Sequence, residues 1–256
     1  MKILCVIPTL RDDPSETVES LRRQVLPPTR IIVASGSKEL SDEIMAWKDS
    51  FVEAIYVRPD FKKSVGERIA SALDSALQSV ALDEFDCFLR IDADIILPPE
   101  FTTKNLPIER TIFHGDGSTL FFSIKSFMEV FGGRFPIVNE EDAYALFKYE
   151  ESGYIIRDWA PKPIVLRTSS RHNSWRYFYH GGYWHYRLGY EFVHHSFGAL
   201  RHLLIDKNML ELFEIIGFLS GWFRNVEKLD IADFVWRKRA PFSSKKLSRL
   251  LKSREG

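Results

Sequence analysis

The first 95 residues alternate short apolar runs with stretches of helical spacing, and that alternation leaves few folds open. Residues 2–8 (KILCVIP) form a continuous apolar run closed by proline, the pattern of a strand buried on both faces. Residues 15–24 have helical spacing behind an Asp-Pro-Ser start. Residues 30–34 form a second apolar strand, closed by Ser35-Gly36-Ser37, and 39–49 read as a helix. A third strand falls at 54–57. Val65, Ile69, Leu73, Leu77 and Val80 recur every three or four residues, which predicts an amphipathic helix over 65–82. A fourth strand over 85–91 ends at Asp92-Ala93-Asp94. Strands and helices joined by short links predict an α/β fold, a mostly parallel central sheet flanked by helices with right-handed crossovers. Ligands of such sheets bind outside the carboxyl ends of the strands. The residues to inspect are therefore 9–13, 35–37 and 92–94.

From about residue 110 the pattern is mixed. Strands are expected at 111–113 and 119–123 around His114-Gly115-Asp116-Gly117, with a loop at Gly132-Gly133. A helix is expected at 139–151, then strands at 155–159 and 164–166. Residues 171–202 differ in composition. They hold six of the seven histidines and ten of the 35 aromatic residues, with Glu191 as the single acid. This stretch reads as an aromatic connector, and 198–223 as strongly helical. We expect a main domain over 1–170 and a helical C-terminal appendage over 171–256.

Composition narrows the function. With 45% apolar and 27% charged residues, the 256-residue chain is neither disordered, collagen-like nor a disulfide scaffold. Cys5 and Cys87 sit in apolar runs and read as buried thiols. The histidines show no HExxH spacing, and His194-His195 are adjacent, so a dedicated zinc site is not expected. No RNA-binding signature accompanies the aromatics, and 35 basic residues balance 35 acidic ones, which argues against a nucleic-acid partner. The charges are unevenly placed. Residues 237–256 carry +7 and the remainder −7, so the tail is either a contact for anionic lipid or a solvated end. No secretory signal or spanning segment is expected. Residues 209–223 have a broad apolar face, with Glu211 and Glu214 near the opposite side. That pattern suits a helix lying in a membrane interface through Trp222 and Phe223, or a core helix.

Asp92 and Asp94 are the sharpest chemical signal. Alone, such a pair is an ordinary acidic turn. At the end of an apolar strand, two carboxylates flanking a small residue can hold a hard divalent ion that bridges to phosphate. Glu140-Glu141-Asp142 behind Asn139 reads either as a capped helix start or as a source of a general base.

Four segments in order, VIPTLRDD, RIIVASGS, RIDADIILPPEF and NEEDAYALFKYEESGY, resemble the inverting glycosyltransferases of family 2 with the GT-A fold, which include dolichol-phosphate mannose synthases. The resemblance spans residues 2 to about 190. It implies a nucleotide-sugar half over about 1–100 and an acceptor half over about 101–170. It implies nucleotide contacts from Pro8, Thr9, Asp12 and Ser35, a ribose-side carboxylate at Asp92, and a metal ligand at Asp94 assisted by Asp92. Asp142 stands at the position of the catalytic base. Gly117 and Gly132-Gly133 resemble glycines flanking the acceptor region. His172 matches a metal-holding position, and Arg171 or Arg176 a diphosphate clamp. Two departures are visible. Ala34 and Ser35 stand where the family has acidic residues, and Ile96 stands where close relatives of the mannose synthases have Gln. The expected activity is transfer of a sugar from a nucleotide-diphosphate donor to a lipid-linked or glycan acceptor, with Mg²⁺ or Mn²⁺, at the cytoplasmic face of a membrane. The alternatives are a nucleotidyltransferase of the same fold and a non-catalytic binding protein. A nucleotidyltransferase usually has a glycine-rich first turn, which residues 9–13 lack.

Overall fold

The computed structural model describes residues 1–115, 118–166, 174–205 and 207–239. It divides into two units, Met1–Thr168 and Ser169–Gly256.

The first unit is built on the predicted alternation. Its elements run β1 (Ile3–Thr9), α1 (Ser15–Arg22), β2 (Arg30–Ser35), α2 (Lys38–Met45), β3 (Val52–Tyr56), α3 (Val65–Gln78) and β4 (Cys87–Ile91). There follow β5 (Ile95–Ile96), α4 (Phe101–Lys104), β6 (Thr111–Gly115), β7 (Thr119–Ser123), α5 (Ile124–Phe131), α6 (Glu141–Glu151), β8 (Ile155–Asp158) and β9 (Ile164–Val165). Seven strands form one sheet in the order β3-β2-β1-β4-β7-β6-β8. β1, β2, β3 and β4 are parallel, β7 is antiparallel to both β4 and β6, and β6 and β8 are parallel. The mostly parallel sheet flanked by helices is thus the fold class the alternation predicts.

Strand periodicity sorts the core into two layers. Leu4 and Val6 of β1 pack with Ala70, Leu73 and Leu77 of α3. Ile3, Cys5 and Ile7 point the other way, toward Val18 and Leu21 of α1. Both cysteines are free and buried. Gly115 ends β6 because nothing larger fits: a Cβ there would lie 1.6 Å from the Trp159 ring. Trp159 in turn packs edge-on against Phe101 at 4.8 Å.

Some boundaries differ from expectation. α2 ends at Met45 rather than 49, and the chain leaves it through Lys48 at φ 52°. β3 begins two residues earlier than predicted, at Val52. α6 starts at Glu141 rather than 139, because Glu140 adopts the left-handed φ of 53° and cannot continue a helix.

The second unit contains α7 (Trp175–Arg187), α8 (Phe192–Ile205), α9 (Glu211–Phe223) and α10 (Ala232–Arg239). The expected connector is therefore mostly helix, and the strongly helical stretch expected over 198–223 falls in α8 and α9. α7 and α9 meet through glycines. A Cβ at Gly182 would lie 1.7 Å from the Glu214 carbonyl oxygen, and one at Gly217 would lie 1.9 Å from that of Tyr179. The buried residues of α9 are Gly217, Phe218 and Gly221. Glu214 lies on that packed side, one turn before Phe218, so its placement opposite the contact face is corrected. Ile216, Trp222 and Phe223 are exposed. No helix among the described residues is long and apolar enough to cross a membrane.

Candidate active site

β4 carries a buried charge at its carboxyl end. Arg90 lies opposite Val6 of β1 and Leu120 of β7, and is 2% exposed. A buried guanidinium needs partners. Its Nη2 lies 3.0 Å from Asp92 Oδ1 and 3.1 Å from Glu141 Oε1. Burial works against its charge, but Asp92, Glu141 and Asp142 outweigh burial and raise its pKa. Asp92 and Glu141, some 50 residues apart in sequence, thus share one arginine.

Glu141 is the other buried member. Burial, with help from Asp142 and Asp92, pushes its carboxyl up to about 8 against the pull of Arg90. Asp142, the next residue round the helix, is half-buried and more accessible.

Asp92 and Asp94 flank Ala93, which is 6% exposed and whose carbonyl accepts from Thr17 Oγ1 at 2.7 Å. The segment turns rather than extends, yet both aspartates stay half-buried on either side of an inward-facing alanine. The Asp94 main chain is held by Leu166 N–H at 2.8 Å. Its carboxylate makes no ion pair or side-chain hydrogen bond among the described residues.

Beside this cluster lies a cleft at the carboxyl ends of β1, β2 and β3. Pro8, Thr9, Gly36, Arg58, Lys63 and Arg68 contribute to its lining. Thr9 Oγ1 donates to the Asp12 carbonyl at 2.9 Å, and the Thr9 carbonyl accepts from Gly36 N–H at 2.8 Å, so the β1 and β2 ends form one rigid turn. Asp12 is exposed on that turn. Ser35 is fully buried. Its hydroxyl donates to the Ser37 carbonyl and accepts from the Ser37 N–H, so it shapes the turn while Gly36 faces the cleft. The start of α3 joins cleft and acids. A Cβ at Gly66 would lie 2.7 Å from Asn139 Oδ1 and 2.9 Å from Glu140 N, so α3 presses directly on the approach to α6.

Sequence reasoning missed Arg58, Lys63 and Arg68. The signal was available: VRPDFKKS follows the third strand, and the strand-end rule applies there as it does after the first, second and fourth. It also missed Arg90 and Glu141. Among the remaining candidates, Gly132 and Gly133 close α5 at φ 62° and 80°, a helix-ending role. Arg176 belongs to the second unit, where it lies over the Trp175 ring at 5.5 Å. Gly117, Arg171 and His172 lie outside the described residues.

No protein-family model and no curated protein matches the chain. Solved structures do. S. aureus TarS aligns at 13% identity and a TM-score of 0.46, over 87% of this chain and 44% of that one. The chain therefore spans less than half the length of TarS. Glucosyl-3-phosphoglycerate synthase from Mycobacterium tuberculosis, in complex with Mn²⁺, uridine diphosphate and phosphoglyceric acid, aligns at 15% identity and a TM-score of 0.44, over 66% of this chain and 72% of that one. A 4-diphosphocytidyl-2C-methyl-D-erythritol synthase aligns at 13% identity and a TM-score of 0.42, over 65% and 93%.

Proposed function

We propose that the chain is a metal-dependent, inverting glycosyltransferase that moves a sugar from a nucleotide-diphosphate donor to an acceptor hydroxyl. The observation that carries this is the convergence of Asp92 and Glu141 on buried Arg90, with Asp142 next along the helix, beside a cleft whose lining includes Arg58, Lys63, Arg68 and Asp60.

The donor set fits a hard cation. Asp94 offers an oxygen ligand without a protein partner among the described residues, next to Asp92. Magnesium or manganese, which keep several waters, need no more than one or two such carboxylates plus phosphate oxygens. When bound, the ion would stabilise charge on the departing diphosphate. His172 is proposed as a further ligand on the family resemblance alone.

The protein's own residues do the rest. Pro8, Thr9, Asp12 and Gly36 form the turn against which a nucleotide lies. Ser35 serves by fixing that turn. Arg58, Lys63 and Arg68 supply positive charge beside the diphosphate, and Arg176 is proposed as a diphosphate clamp on the family resemblance alone. Asp142 takes the acceptor hydroxyl proton as the oxygen bonds to C1 and the C1–O bond to diphosphate breaks. Glu141, buried beside it, holds Arg90 in place. Asp142→Asn should lower turnover by roughly 10²–10⁴-fold with folding intact, measured as nucleoside diphosphate released. Full activity in that variant would remove Asp142 as the base.

The same cationic cleft suits a triphosphate donor, which keeps a nucleotidyltransferase as the second reading. That enzyme would release pyrophosphate instead. The acceptor is proposed to be lipid-linked or a glycan. Exposed Phe197, Leu204, Trp222 and Phe223 suit peripheral contact with a membrane from the cytoplasmic side.

A further inference from the structure

The second unit carries a cluster that glycosyl transfer does not use. His185 on α7, His195 on α8 and Glu214 on α9 present ligand atoms that all lie within 4.8 Å of one another. His185 Nδ1 is 2.9 Å from Glu214 Oε1. The donors are 10 and 19 residues apart in sequence, so no spacing motif reveals them.

Each donor is held by its own local device. α7 ends in a Schellman turn: Tyr190 N–H donates to the His185 carbonyl and Gly189 N–H to that of Tyr186, both at 3.0 Å, with Gly189 at φ 86°. That turn folds Tyr190 back over His185, and the rings stack at 4.6 Å and 25°. α8 starts on Glu191, whose carboxylate accepts from the N–H groups of Val193 and His194, while its carbonyl accepts from His195 N–H. The His195 ring then stacks on Phe218 at 4.9 Å and 22°. Glu214 is delivered by the close backbone contact at Gly182.

A second observation singles the cluster out. His195 is 6% exposed, and its Nε2 is buried without a hydrogen-bond partner. Buried polar atoms are rarely left unpaired in native proteins.

We propose that His185, His195 and Glu214 form a divalent transition-metal site, with zinc as the ion, and that the ion ties α7, α8 and α9 together. Two imidazoles and one carboxylate suit zinc, whereas magnesium and manganese favour all-oxygen sites. A tetrahedral ion about 2.0–2.2 Å from each ligand sets the donors roughly 3.3–3.5 Å apart. The observed separations, 2.9 Å for His185 to Glu214 and none beyond 4.8 Å, bracket that value. Water fills the fourth position.

The test uses the full chain without a histidine tag, freed of metal by chelation and titrated with Co²⁺ as a spectroscopic stand-in for zinc. One equivalent should produce visible absorption bands of tetrahedral type, which Zn²⁺ then abolishes by displacement. Zn²⁺ should raise the thermal midpoint of the metal-free protein by several degrees. Glu214→Gln and His195→Gln should each weaken Co²⁺ binding by more than the roughly 10–100-fold that loss of an outer partner costs. Asp94→Asn should leave the bands unchanged, which separates this ion from the one proposed for catalysis. Absent bands in folded wild-type protein would overturn the site, as would bands that survive in folded Glu214→Gln or disappear in Asp94→Asn. If a ligand variant fails to fold, the wild-type and Asp94→Asn spectra still decide.

Discussion

Arg90 is fixed by geometry before chemistry is considered. Its position on β4 buries it between β1 and β7, and acids must gather on its exposed end. Burial pushes the carboxyl of the acid least able to reach solvent, Glu141, up to about 8. This has a measurable pH signature. Because the folded carboxyl titrates at about 8 and its ordinary value is 4.5, the folded state holds a proton that the unfolded chain has released between those values. The stabilising contribution is full below about 4.5 and is lost as pH rises through about 8. The thermal midpoint of the wild type should therefore fall across that window, and that of Glu141→Gln should fall less. Equal slopes in both proteins would show that Glu141 is ionised in the fold. Of this constellation the sequence pointed to the half-buried acids, Asp92, Asp94 and Asp142, because strand ends and helix starts are recognisable positions. It hid Arg90, which looks like any strand residue inside CFLRI, and Glu141, because which of two adjacent helix acids turns inward depends on where the helix begins. The left-handed Glu140 sets that start, and a Glu-Glu-Asp run does not announce it.

Elements with a strong period were legible, and elements set by close approach were not. Both faces of β1 and the inner face of α3 follow their apolar spacing, as the two-layer core shows. α9 does not. Its contact face is Gly217, Phe218 and Gly221 beside Glu214, while Ile216, Trp222 and Phe223 are exposed. Hydrophobic spacing alone inverts such a helix, because two backbones in contact need small residues rather than large ones. Gly217→Ala should cost about 1–3 kcal/mol or more through overpacking against the Tyr179 carbonyl. Gly198, with no neighbour within 4 Å of an added Cβ, should accept alanine without loss. Equal denaturation midpoints for Gly217→Ala and Gly198→Ala would contradict the glycine seam.

At the scale of the whole molecule, the two units divide the proposed work. The first holds the cleft and the acids. The second presents apolar side chains to solvent, among them Phe197 at 71%, Leu204 at 77% and Phe223 at 81% exposure. If that surface meets lipid, Phe197→Asp with Leu204→Asp should cut binding to anionic phospholipid vesicles about tenfold or more, at roughly 0.8 kcal/mol per CH₂ withheld from the bilayer. Undiminished flotation would assign the surface to another partner. The alternation that opens the chain was enough to foresee the sheet and its carboxyl edge. The second unit was foreseen only as helical, since its order rests on glycines and histidines that come together only in three dimensions. Nucleoside diphosphate release from a panel of nucleotide sugars, with and without Mn²⁺, in wild type and Asp94→Asn, tests the catalytic assignment most directly. The wild type should release nucleoside diphosphate only with the metal, and Asp94→Asn should lose about 100-fold or more of that activity. Pyrophosphate as the product, or a metal response unchanged in Asp94→Asn, would contradict it.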